Sequence, residues 1–202
     1  MRLVLNWTGP IGPGCFPSDL VALEALARPG VYLRVKRYDH GRTIGYVGQS
    51  RNVLIRIDQH LTNALGLLYP IRDGSGQVRA RGDFAARLAA YNDLESAVRL
   101  AAEDVARTRF YAASCGDEFD ADHLTLVEGA LKRRIETRIA RSAGALACDN
   151  LQGIAVPAEA IEMAIDNVLD ALAPADQAVV ADLVGREPIE IAAMLAEAGD
   201  HG

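Results

Sequence analysis

Tyr32 and Tyr46 are the side chains of this sequence with the most to offer chemically. Each closes or opens a short Gly/Tyr triplet, Gly30-Val31-Tyr32 and Tyr46-Val47-Gly48, and thirteen residues separate the two. A helix-like run follows and carries Arg56 and His60, four residues apart and therefore neighbours on one flank. Two phenols beside a basic helix face suit phosphate chemistry. Phosphodiester hydrolysis needs a positioned water, stabilised charge on the phosphoryl oxygens and help for the leaving oxygen. A tyrosine oxygen near a basic group can orient or deprotonate water, and an arginine can clamp a phosphate through two N–H groups. A carboxylate can hold a hard Mg²⁺-type cation that keeps several of its waters. The chain offers all three kinds of group.

The elements that must position these residues can be read from periodicity. Val31, Leu33 and Val35 alternate with Tyr32, Arg34 and Lys36, which predicts a strand over 31–38. Asp39-His40-Gly41 is a turn, and 42–48 returns as the second strand of a hairpin. A helix is expected over 52–64, with Leu54, Ile57, Leu61 and Leu65 as its buried stripe and Ser50 as its cap. The segment 66–81 reads as a loop with room for a small hairpin, 83–105 as one helix, and 109–113 as a third strand. Leu124, Val127, Leu131, Ile135 and Ile139 mark a long amphipathic helix. Pro157, Pro174 and Pro188 each predict the start of another helical stretch. Residues 2–7 form a short strand candidate, and Ser18 or Asp19 caps a helix before Gly30.

Each of these residues also has a plain structural role. A tyrosine on a strand is commonly half-buried packing with a satisfied hydroxyl. Arg56 and His60 alone would be a solvated helix face. Glu128 can pair with Lys132 four residues on, a surface interaction of roughly 0.3–0.5 kcal/mol that needs no metal. Lys36, Arg37, Arg42 and Arg51 can reach phosphate, or can simply be exposed charges of the hairpin and the helix start.

Taken in order, the triplets and the helix resemble the signature of the GIY-YIG nuclease superfamily, spelled GVY and YVG here. The resemblance runs from Gly30 to about Asn150. It implies an α/β (α+β) fold: a small three-stranded mixed sheet flanked by helices. It implies that Tyr32 and Tyr46 line an active site, that Arg56 is the phosphate ligand and that His60 is a proton partner for the tyrosine. It further implies Glu128 as the single metal ligand, for Mg²⁺ or Mn²⁺, and Asn150 as a residue bracing the site. The interval from Glu128 to Asn150 is longer than is usual in the family. The activity implied is endonucleolytic cleavage of nucleic acid, with DNA expected ahead of RNA. A module that keeps the fold without useful catalysis, and binds nucleic acid or a regulatory partner, stays open as the alternative.

Charge and composition set the frame. The 202 residues are half hydrophobic and 24% charged, ordinary for a globular chain. The net charge of -6 weighs against a nucleic-acid binder as an average, but it is uneven. Residues 151–202 hold ten acids against Arg186 alone, and residues 30–65 hold six bases against Asp39 and Asp58. A local basic field can bind phosphate even on an acidic chain. The expected organisation is an N-terminal strand and helix at 1–29 packing on the core, a nuclease-like domain at 30–150 with a helical insert at 66–105, and an acidic helical C-terminal extension at 151–202. The insert, with Arg72, Arg79, Arg81, Arg87 and Arg99, is placed to touch nucleic acid. The acidic tail repels phosphate and is expected to pack on the core, to bind a protein partner or to cover the basic face. Cys15, Cys115 and Cys148 show neither metal nor disulfide spacing, so reduced thiols and a cytoplasmic setting are expected. No apolar run reaches membrane length, no secretory signal is expected, and no membrane partner is implied.

Overall fold

Alternation of short apolar with long polar side chains turns Gly30–Arg37 into a strand with two unlike faces, and the rest of the fold is organised around them. The computed structural model describes residues 1–116, 119–151 and 163–191. In chain order the elements are β1 (Arg2–Asn6), β2 (Thr8–Ile11), α1 (Leu20–Leu26), β3 (Gly30–Arg37), β4 (Thr43–Ser50), α2 (Val53–Leu65), β5 (Ile71–Arg72), β6 (Val78–Ala80), α3 (Phe84–Ala90), α4 (Leu94–Ala106), β7 (Thr108–Ser114), α5 (Ala121–Arg141), β8 (Leu146–Cys148), β9 (Ala164–Val168), α6 (Pro174–Val184) and β10 (Ile189–Glu190). The class is mixed α+β.

The main sheet has the order β2-β7-β3-β4-β8, antiparallel except for the parallel β4–β8 pair. Tyr32 faces Gly48 and Arg34 faces Tyr46 across the β3–β4 ladder. The triplet glycines follow from this register. A Cβ at Gly48 would fall inside the Tyr32 ring, and one at Gly30 would collide with the Ala113 carbonyl oxygen. Only glycine lets the Tyr32 ring lie flat across the neighbouring strand.

One face of the sheet, through Val31, Leu33, Val35 and Val47, packs on Leu124, Val127, Leu131 and Ile135 of α5. Complete burial of each such side chain contributes about 1.5–3 kcal/mol. The other face, through Tyr32, Phe110 and Ala112, packs on Val53 and Ile57 of α2, with Ile11 and Leu26. A third cluster joins Ala64 and Leu67 to Ile71, Ala101 and Val105, so the 66–105 segment is seated on the far end of α2.

Several expectations are corrected. The single helix over 83–105 is two, because Asp93 leaves helical backbone at the end of a short 3₁₀ turn and caps α4 by accepting from Ser96 N. The small hairpin in 66–81 is present as β5–β6. Asn52, not Ser50, caps α2 by accepting from Ile55 N at 2.9 Å, and Ser50 Oγ braces the Asn52 backbone. The buried stripe of α2 is Val53, Ile57, His60 and Ala64, with Leu54 and Leu61 at its margins and Leu65 49% exposed.

The largest correction concerns the chain ends. Residues 163–191 are not a helical appendage. β9 pairs in parallel with β1 and antiparallel with β10, making a second sheet of order β1-β9-β10. Pro174 does start a helix, α6, but Pro188 leads into a strand. Leu3, Leu5, Ile165, Leu183 and Ile189 share one cluster with the α5 side of the main sheet. Trp7 Nε1 donates to Asn167 Oδ1 at 2.9 Å, and the Tyr111 hydroxyl donates to Asp176 at 2.6 Å. Pro157 lies outside the described residues. No described helix is long and apolar enough to cross a membrane.

Candidate active site

Period-two alternation sends Tyr32, Arg34 and Lys36 to the α2 side of the sheet, and the register adds Tyr46 beside them. The cap at Asn52 sets the phase of α2, which turns His60 inward and leaves Arg56 half-buried at the rim. These choices bring Tyr32, Tyr46, Arg56 and His60 together.

Tyr32 is wholly buried, and its hydroxyl lies 2.7 Å from His60 Nε2. Arg56 Nε donates to the same hydroxyl at 3.4 Å, and the Tyr46 phenol also bears on the Arg56 guanidinium. The two phenol rings are stacked with centroids 6.2 Å apart, and the His60 ring stands edge-on to both. Burial, followed by the neighbouring Tyr46, pushes the Tyr32 phenol well above its ordinary range. Burial also pushes His60 down, reinforced by the positive charges of Arg34, Arg56 and Lys36, to about 3. His60 is therefore a neutral imidazole at physiological pH.

Arg56 has neutral partners, the two phenols and Gln59 Oε1 at 3.0 Å. Among the described residues no carboxylate pairs with it. A half-buried guanidinium with its charge uncompensated is suited to receive an anion.

Asn150 bonds the main chain of β4. Its Oδ1 accepts from Val47 N at 3.1 Å and its Nδ2 donates to Val47 O, so one amide continues the β4 edge beyond the end of β8. That holds the strand residue next to Tyr46 as a ladder partner would.

Glu128 is not in contact with the phenols. It sits on α5, which packs the opposite face of the sheet, and pairs with Lys132 at 2.9 Å. The charge of Lys132 acts on Cys148 at the end of β8, and α5 ends beside Thr43, where Ala145 O accepts from Thr43 N. Among the described residues no three His, Cys, Asp or Glu side chains gather as a metal cluster. One carboxylate suits a hard cation that keeps most of its waters, and does not suit an all-protein cage.

The basic residues named for phosphate divide. Lys36 is buried, 6% exposed, and paired with Asp104, which also accepts from the Tyr38 hydroxyl at 3.0 Å. It is a core ion pair and cannot reach a ligand. Arg37 and Arg51 are exposed and Arg42 is half-buried. Arg37 lines an open cavity of about 430 Å³ with Thr43, Arg138 and Arg141, on the α5–α6 side and away from the phenols. In the insert, Arg72 is held by Asp149 at 3.0 Å, Arg79 by Asp73 at 2.6 Å, and Arg87 donates to Gly82 O at 3.1 Å.

Three further residues join the site. Arg34 lies over the Tyr46 ring at 4.7 Å, approaches His60 Nδ1 at 3.4 Å and donates to Asp149 at 3.0 Å. Tyr69 closes a side, its ring 5.5 Å from that of His60 and its hydroxyl accepting from Asn63 at 3.2 Å. Asp149 ties Arg34 to Arg72 of the hairpin insert. The strand alternation carried a signal for Arg34, two residues after Tyr32 on the same face. Nothing in local spacing points to Tyr69 or Asp149.

Comparison of the chain with protein-family models, with curated proteins and with solved structures finds no match.

Proposed function

We propose that this protein is an endonuclease of GIY-YIG type that hydrolyses phosphodiester bonds in nucleic acid, with DNA as the expected substrate. The observation that carries the reading is the convergence of Tyr32, Tyr46, Arg56 and His60, drawn from two strands and a helix into one hydrogen-bonded group around an uncompensated guanidinium. The main-chain brace from Asn150 adds to it.

In this reading Arg56 binds and polarises the scissile phosphate, which is the electrostatic part of catalysis. Tyr46, half-buried, meets the substrate side of the site, while Tyr32 is wholly buried behind it. Tyr32 then serves as an inner member whose hydroxyl, held by neutral His60, orients Tyr46. Tyr46 also orients the attacking water. Glu128 is the residue that would hold a Mg²⁺ or Mn²⁺ ion. Such an ion supplies stabilisation of charge on the leaving oxygen when bound.

The test is nicking of supercoiled plasmid in the presence of Mg²⁺ by the wild type, Arg56→Ala and Glu128→Ala. Nicking by the wild type that falls by roughly 10²–10³ in Arg56→Ala, and is lost in Glu128→Ala, is expected. Equal activity in all three would overturn the assignment.

A further inference from the structure

A histidine between two donors has to choose a tautomer, and here the choice is forced from behind. Arg34 is a donor only, because guanidinium N–H groups carry no acceptor. Its Nη1 lies 3.4 Å from His60 Nδ1, at the end of a side chain held by Asp149 through Nη2 at 3.0 Å. Asp149 is held in turn by Arg72 at 3.0 Å. A proton on Nδ1 would therefore face another N–H across a buried gap. With Nδ1 as acceptor, the proton sits on Nε2, 2.7 Å from the Tyr32 oxygen.

We infer that Arg34 is a positioning residue of this site: it fixes His60 as the Nε2–H tautomer, so that the imidazole donates to Tyr32 and not the reverse. The Tyr32 oxygen then accepts from both His60 Nε2 and Arg56 Nε, and the phenol's own proton is left to point outward. The group on that side is Tyr46, with which Tyr32 interacts directly. The hydrogen bonds run in one direction, from Arg34 through His60 and Tyr32 toward Tyr46. Without Arg34, the Tyr32 hydroxyl can turn inward and donate to Nε2, and the chain reverses. No proton needs to leave the protein for either arrangement; only its position on the imidazole changes.

The consequence for cleavage rests on the nuclease reading, whereas the tautomer is a property of the folded chain. The experiment is ¹⁵N NMR of the His60 ring in the full-length protein at neutral pH, for the wild type and Arg34→Met. The Nε2–H pattern is expected in the wild type and an Nδ1–H pattern in the variant. Asp149 keeps Arg72, so Arg34→Met leaves no unpaired carboxylate. Should that variant not fold, Asp149→Asn slackens the same anchor, and the Nδ1–H form should then appear beside the other. Nδ1–H in the wild type, or an unchanged pattern in the variant that folds, overturns the inference. Plasmid nicking on the same samples separates the two ideas. A tautomer that shifts as expected in a protein that never nicks sinks the nuclease reading alone. Nicking with no shift sinks the role of Arg34 alone.

Discussion

Acid should destabilise this protein through one buried ring. The folded pKa of His60 lies near 3 against an ordinary value of 6.5, because burial and three cations oppose its protonation. The unfolded chain therefore takes up a proton that the native state refuses. Stability contributed by the neutral ring is complete above pH 6.5, falls as pH drops below it, and is gone once pH passes through about 3. At about 1.4 kcal/mol per pKa unit, the loss between pH 7 and pH 5 is about 2 kcal/mol from this residue. The perturbation is His60→Gln, whose amide can still donate to Tyr32 but does not titrate. Urea unfolding of both proteins at pH 7 and pH 5 gives the difference, and the carboxylates common to both cancel. The wild type should lose about 2 kcal/mol more than the variant over that interval. Parallel loss in the two proteins, or an NMR titration of His60 centred near its ordinary value, would refute the burial argument.

Two more outcomes follow from the packing. Gly48→Ala should cost about 2–3 kcal/mol in denaturant unfolding, because its Cβ meets the buried Tyr32 ring, and an effect under about 0.5 kcal/mol would mean that the ring has another place to go. Lys36→Met should cost about 3–5 kcal/mol by stranding Asp104, which has no exposure, and adding Asp104→Asn should recover much of it. A neutral effect of the single change would show that Tyr38 alone satisfies Asp104.

The hairpin was legible because strand geometry is local: alternation assigns each side chain to a face. The long α5 was legible for the same reason, from one apolar stripe. The split between α3 and α4 was missed because Asp93 lies within a run of good helix formers, and only its capping bond shows that a new helix begins there. The face of α2 was misjudged because leucine outranks histidine as a core residue. His60 is inside because strand β3 offers it Tyr32 and Arg34 as partners, and a buried polar ring with satisfied nitrogens is no longer costly. Lys36 went the same way, since its partner Asp104 is 68 residues distant in the chain.

From sequence alone come the type and order of the reactive groups, the two strands that carry the tyrosines and the phase that sets Tyr32, Arg34 and Lys36 on one face. All of these depend on contacts within a few residues. Tertiary structure alone decided that β1 is completed by β9 across more than 160 residues, that an acidic C-terminal stretch builds a second sheet, and that Asp149 and Tyr69 belong to the site. It also decided how the cations are paired: among the described residues no carboxylate meets Arg56, while Arg34, Lys36 and Arg72 are tied to one. Pairing between distant charges depends on where the chain brings them, and residue spacing carries no record of that.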